Sequence, residues 1–198
     1  MVFDASAKPQ PLTYSINDCM FTGPPLEPLL WDIMIRVRMS TSLLLGDIKK
    51  AFLQIGVKEE DRDAVKFLFN INGTEKHLRF TRVPFGVEAS PFLLGATLQH
   101  HFEQQGSEFE ETVRALKENT YVDNLMQTGG NVEKLMQFKE ESTAILESAR
   151  FPGTSGNLMS SFLKVKACQI QARSLDMCGI RMMTHWSCLQ SLFHKNIQ

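Results

Sequence analysis

The chain has 198 residues, 43% hydrophobic and 22% charged, an ordinary globular composition that excludes bulk disorder and suits one good core or two modest ones. No apolar run approaches the roughly 18 residues of a spanning helix, and residues 1–11 lack the layout of a signal peptide, so the expectation is an intracellular protein without membrane association, cytoplasm and nucleus left open. A formal net charge of -1 argues against strong autonomous nucleic-acid binding, and Cys19, Cys168, Cys178 and Cys188 fall at no zinc-like or redox spacing, which points to free thiols and no disulfide-linked partner.

Along the chain, Pro9, Pro11, Gly23, Pro24 and Pro25 mark the first 25 residues as mostly extended loop. From Pro25 to Met39, Leu26, Leu29, Leu30, Ile33, Met34 and Val37 recur three or four apart and predict an amphipathic helix. Ser42 to Asp47 is a short apolar run ending in an acid, a buried strand, and Ala51 to Val57 follows as a tight turn or short helix. Ala64–Asn70 and Glu75–Thr81 flank Asn72-Gly73, the dipeptide best suited to the positive backbone angles of a hairpin turn.

Ser90-Pro91 is expected to open a helix running to Glu103, with serine as the cap and proline in the first turn. Glu108 to Lys117 is a weaker helix. Tyr121 to Met126 forms a short apolar pair of strands around Asp123. Asn131 to Ala149 is strongly helical, with Val132, Leu135, Met136, Ile145 and Leu146 expected inward. After Phe151 the periodicity degrades around Pro152, Gly153 and Gly156.

The chemistry starts from Asp47 and Asp123, each at the end of a short apolar strand, so that a sheet can bring the two carboxylates together. Magnesium takes oxygen ligands and keeps several waters, and two carboxylates beside substrate phosphates are a sufficient protein contribution. Taken alone, two such aspartates are a weak signal, and exposed turn or cap residues are the better reading. His100-His101 invites a metal reading, but adjacent helical residues point about 100° apart and no third ligand is near.

Five blocks in order give the pair its context: Val2-Phe3-Asp4-Ala5-Ser6; Asn17-Asp18-Cys19 with Thr22-Gly23-Pro24; Asp47-Ile48-Lys49-Lys50-Ala51-Phe52-Leu53-Gln54-Ile55; Phe80-Thr81-Arg82-Val83-Pro84-Phe85-Gly86-Val87 with Ser90-Pro91-Phe92; and Tyr121-Val122-Asp123-Asn124. Together they closely resemble the reverse-transcriptase domain of BEL/Pao retrotransposons over about residues 2–150. The resemblance implies an α+β polymerase palm, an antiparallel sheet with helices on one face, an incomplete fingers hairpin at residues 64–82 and no genuine thumb. It divides the chain into a palm with partial fingers at 1–150 and a degenerate tail at 151–198.

Carried over residue by residue, the resemblance makes Asp47 and Asp123 the metal-binding catalytic aspartates, with Asn124 where a further aspartate normally stands. Phe52 aligns with the ring that floors the sugar pocket and rejects a 2′ hydroxyl, although a core aromatic is the plain alternative. Phe85 and Gly86 align with the element lining the templating pair, against the plain reading of Gly86 as a turn glycine. Lys50, Arg79, Arg82 and Tyr121 are candidate nucleic-acid contacts, although lysines and arginines such as the first three more often form a solvated face. The implied cofactor is a pair of Mg2+ ions about 3.5 to 4 Å apart, and the implied partners are an RNA or DNA template-primer and a dNTP.

The implied activity is RNA-directed DNA polymerisation, expected to be impaired or lost through truncation and through Asn124, whose amide keeps an oxygen but lacks the charge of aspartate. The alternative is a non-catalytic nucleic-acid-binding or interaction module derived from the palm. Two further departures are expected from the sequence. The chain begins after the arginine and basic finger residues that hold the triphosphate in the family, and the tail lacks the family's Arg-Lys-Trp-x-Ser-Asn block. Codons for Pro152–Met159 and for Leu175–Trp186, read two nucleotides out of register, permit that block and the segment that follows it. A frameshift near residues 150–152 is therefore expected, and with it a poorly packed tail.

Overall fold

The computed structural model describes residues 4–149 and a short strand at 166–169. Helix α1 (Leu30–Met39) leads into β1 (Ser42–Asp47), followed by the single-turn α2 (Ala51–Gln54). The hairpin β2 (Lys66–Ile71) and β3 (Thr74–Arg79) precedes α3 (Ser90–Glu103) and α4 (Glu110–Asn119). Strands β4 (Thr120–Tyr121) and β5 (Asn124–Gly129) then turn back into α5 (Val132–Ser148). The fold is α+β: β4, β5, β1 and β6 (Lys166–Gln169) form one antiparallel sheet in that order, and β2 and β3 pair separately.

The sheet is covered on both faces, which corrects the expectation of helices on one face only. Side chains alternate along a strand, and β1 carries apolar groups in both directions. Leu43 and Leu45 join Met126 of β5 and meet Ile33 and Val37 of α1. Leu44 and Leu125 point the other way, into the main core built by Leu94, Leu98 and Phe102 of α3, Leu116 of α4, and Leu135, Phe138, Ile145 and Leu146 of α5. A contiguous leucine run in a central strand demands cover on each side.

Three local expectations also change. The first helix starts at Leu30 and not at Pro25, because Pro28 forces the preceding residue out of the helical region and Leu29 stands extended as the cap (ψ 123°). Ser90 does not cap α3: Ala89 precedes the helix, and the Ser90 hydroxyl donates to the Pro84 carbonyl at 2.8 Å, fixing the loop before the helix. On α5, Val132 and Met136 face outward, and the buried stripe is Leu135, Phe138, Ser142, Ile145 and Leu146, the positions that a 3.6-residue period aligns.

The fingers-like hairpin falls where the sequence places it, with Asn72 (φ 52°) and Gly73 (φ 80°) as the two central residues of a tight turn. Of the tail from residue 151 onward, only Lys166–Gln169 is described, as a strand on the edge of β1; the expected irregular structure and frameshift otherwise lie outside the described residues.

Helix α5 is capped by Asn131, whose Oδ1 accepts from the amides of Glu133 at 2.7 Å and Lys134 at 3.3 Å. Asn131→Ala leaves both donors to water and should lower unfolding stability by about 1 kcal/mol, read from the urea midpoint with an unchanged slope.

Candidate active site

The site is built on the β1–β5 ladder. Asp47, last residue of β1, lies directly opposite Asn124, first residue of β5. Directly opposed residues of an antiparallel pair share a face, so Asp47 and Asn124 lie beyond Leu45 and Met126 on the face that α1 covers further along. The ladder closes beyond Asp47 with the Ile48 amide donating to the Asp123 carbonyl at 2.8 Å.

Asp123 occupies a two-residue turn with Val122, between the paired Tyr121 and Asn124. Val122 has φ 56°, a left-handed backbone that a β-branched residue adopts at a cost of order 1–3 kcal/mol. Packing of the Val122 side chain against the main core offsets that cost, and the sharp turn projects Asp123 at its tip. Asn124 Nδ2 donates to Asp123 Oδ1 at 2.9 Å.

Burial, and then the negative charge of Asp47, hold the Asp123 carboxyl above its ordinary pKa of 3.8. The two carboxylates expected from sequence are therefore together, with an amide where a third would stand. Among the described residues, no group of three or more His, Cys, Asp or Glu side chains is placed to hold a metal ion.

Phe52 and Phe85 also come together, ring centroids 4.8 Å apart and edge to face (80°). Phe52 is 7% exposed and belongs to the main core, while Phe85 is 49% exposed, so the pair runs from the interior to the surface. Gly86 has φ 88°, a conformation that requires glycine in this loop.

The candidate basic residues are placed differently from one another. Lys50 is exposed and itself left-handed (φ 54°), just beyond Asp47 at the entry to α2. Arg79 pairs with Asp63 at 3.0 Å, and Lys66 pairs with the same carboxylate at 2.9 Å. Arg82 Nη1 donates to the Gln54 carbonyl at 2.9 Å beside the Gly56–Arg82 bridge. Arg79 thus ties the hairpin to the segment after α2, and Arg82 ties the residues following the hairpin to the last residue of α2. Tyr121 is half-buried against the α1 cluster. His101 Nε2 sits 2.6 Å from the Ile145 carbonyl, and His100 Nε2 2.9 Å from Gln104 Nε2, so each imidazole is engaged within the chain.

Asn17 is a residue whose role the sequence reading missed. Its Nδ2 donates to the Gly86 carbonyl at 3.1 Å, and its Oδ1 accepts from the Glu88 amide at 3.0 Å. One side chain thereby clamps the loop carrying Phe85 and Gly86. Neighbouring Asp18 stabilises the turn presenting it: Asp18 Oδ2 accepts from the Ser15 amide and pairs with Lys8 at 2.7 Å, and that pairing with the Ser15 contacts lowers its pKa to about 2. Gly23 lies against the Phe92 ring of α3, which a side chain at that position would overlap. The ordered motif blocks were the available signal; they bring these residues together in space.

Over residues 5–152 the chain matches the family model described as reverse transcriptase (RNA-dependent DNA polymerase), and it belongs to that family. No curated protein matches the chain. The antiparallel sheet with its packed helices is consistent with the family's palm-like fold, and the family binds template-primer and dNTP. No described helix is long and apolar enough to cross a membrane.

Two outcomes follow from this geometry. Because folding raises the Asp123 pKa, the folded state binds the proton more tightly, and stability falls as pH rises from 3.8 through the raised value. Asp123→Asn removes that loss, so its thermal midpoint should exceed that of the unsubstituted protein at pH 7, with the advantage shrinking as the buffer approaches pH 3.8. Asn17→Ala should speed hydrogen exchange at the Glu88 amide while leaving amides of the β1–β5 ladder protected.

Proposed function

We propose that the chain is the polymerase core of a BEL/Pao-type retrotransposon reverse transcriptase, performing template-directed nucleotidyl transfer at Asp47 and Asp123 with activity reduced by Asn124. The observation that carries this reading is the convergence of the two carboxylates across the ladder, where the charge of one acts on the other. The five ordered sequence blocks support the narrower lineage.

Asp47 and Asp123 are the residues that would hold magnesium, since they supply the hard anionic oxygens it requires. Bound there, the ion supplies the positive charge that activates a primer 3′ hydroxyl and stabilises departing pyrophosphate. The chain's own part is positioning. The strained Val122 turn fixes Asp123, the half-exposed Phe85 ring, backed edge to face by the buried Phe52, offers an apolar surface suited to the sugar or base of an incoming nucleotide, and Asn17 holds the Phe85–Gly86 loop in place. Lys50, exposed beside Asp47, suits a phosphate; Arg79, Arg82 and Tyr121 remain candidates for the nucleic-acid track. Asn124 and the altered reading frame proposed for the tail together describe a retrotransposon remnant whose polymerase has decayed in place.

The experiment is primer extension by the purified protein on a primed RNA or DNA template with dNTPs and magnesium. Slow incorporation is expected, raised at least tenfold by Asn124→Asp and abolished by Asp47→Ala. Incorporation that survives Asp47→Ala, or none even with Asn124→Asp, overturns the catalytic reading; salt-sensitive template-primer binding that persists in Asp47→Ala would then point to a non-catalytic binding module.

A further inference from the structure

The placement of Asn124 carries a consequence for the protein without a cation. Two carboxylates facing each other at the end of a sheet repel, and an aspartate at position 124, opposite Asp47 and adjacent to Asp123, would add a third negative charge to the same corner. The chain has instead an amide whose Nδ2 donates to Asp123 Oδ1 at 2.9 Å. That contact does three things at once. It removes one charge, it turns a repulsive neighbour into an attractive one, and it fixes the rotation of the Asp123 carboxylate, leaving the second oxygen unengaged by the amide.

We propose that Asn124 is a positioning residue that locks Asp123 in place when no cation is bound, making the carboxylate pair stable on its own at the expense of cation affinity. This rests on the reading of Asp47 and Asp123 as a cation site. The backbone gives the lock its purchase: the Val122 turn, already strained at φ 56°, is held by the Tyr121–Asn124 pairing on one side and by the Ile48 amide bond to the Asp123 carbonyl on the other. A repulsive side chain at 124 would push against this strained turn. Asparagine relaxes that stress without a metal.

The test compares thermal midpoints of the unsubstituted protein, Asn124→Ala and Asn124→Asp, each in EDTA and in millimolar magnesium. In EDTA the expected order is the unsubstituted protein highest, Asn124→Ala lower because the donor is lost, and Asn124→Asp lowest by about 3 °C. Magnesium should raise the midpoint of Asn124→Asp by more than that of the unsubstituted protein, and it should raise neither in an Asp47→Ala background. Exchange of the Ile48 amide supplies a second readout, faster in EDTA for both variants. The proposal is overturned if Asn124→Asp is as stable as the unsubstituted protein in EDTA, or if Asn124→Ala is indistinguishable from it in both measurements. If magnesium shifts none of the proteins, the cation site falls, while the order in EDTA still decides the lock.

Discussion

The antiparallel ladder between β1 and β5 is the constraint on which the remaining architecture depends. It joins Ser42 to Gly129 at one end and Asp47 to Asn124 at the other, and its alternation sends Leu44 and Leu125 into one core and Leu43, Leu45 and Met126 into another. Because the side-chain period is two, a slip of one residue would turn the leucines and the acids onto the opposite faces together. Hydrophobic burial on both sides of β1 therefore sets the register, and the register sets where the charges meet. Stability and site geometry are consequences of the same pairing.

That coupling explains why the site tolerates poor local energetics. A valine in the left-handed region, an aspartate held above its usual pKa and a left-handed Lys50 lie within a few residues of the ladder's end. Each is unfavourable alone. They persist because the turn is anchored by the Tyr121–Asn124 pair, by the Ile48–Asp123 backbone bond and by the Val122 side chain in the core. The Phe85–Gly86 loop is over-determined in the same way, by Asn17 from the N-terminal segment and by the Phe52 ring from α2.

Much of this was legible in the amino-acid sequence, for identifiable reasons. Ser42–Asp47 reads as a buried strand because its apolar run is short and ends in a charge, and Asn72-Gly73 announces its turn because few dipeptides tolerate those angles. What escaped was long-range. Nothing in the periodicity of α1 says that it closes the second face of the sheet, although Leu43-Leu44-Leu45 hints that both faces need cover. The Ser90 hydroxyl was legible as a helix cap from local rules, yet the Pro84 carbonyl competes for it and wins. Asn17 lies 69 and 71 positions from the groups it clamps, a separation that no local propensity can encode. Asp47 and Asp123 became candidates because ordered motif blocks, and not their own spacing, singled them out.

The Asp47–Asn124 pairing also bears on which changes such a site can absorb. Backbone hydrogen bonds hold position 124 opposite Asp47 whatever side chain stands there, so an exchange of side chain leaves the scaffold intact. An inserted or deleted residue in β1 would instead reverse its faces and dismantle the core with the site. Of the two kinds of change, only the first is local: a substitution at position 124 alters the charge at the ladder's end while the frame that presents it stays standing.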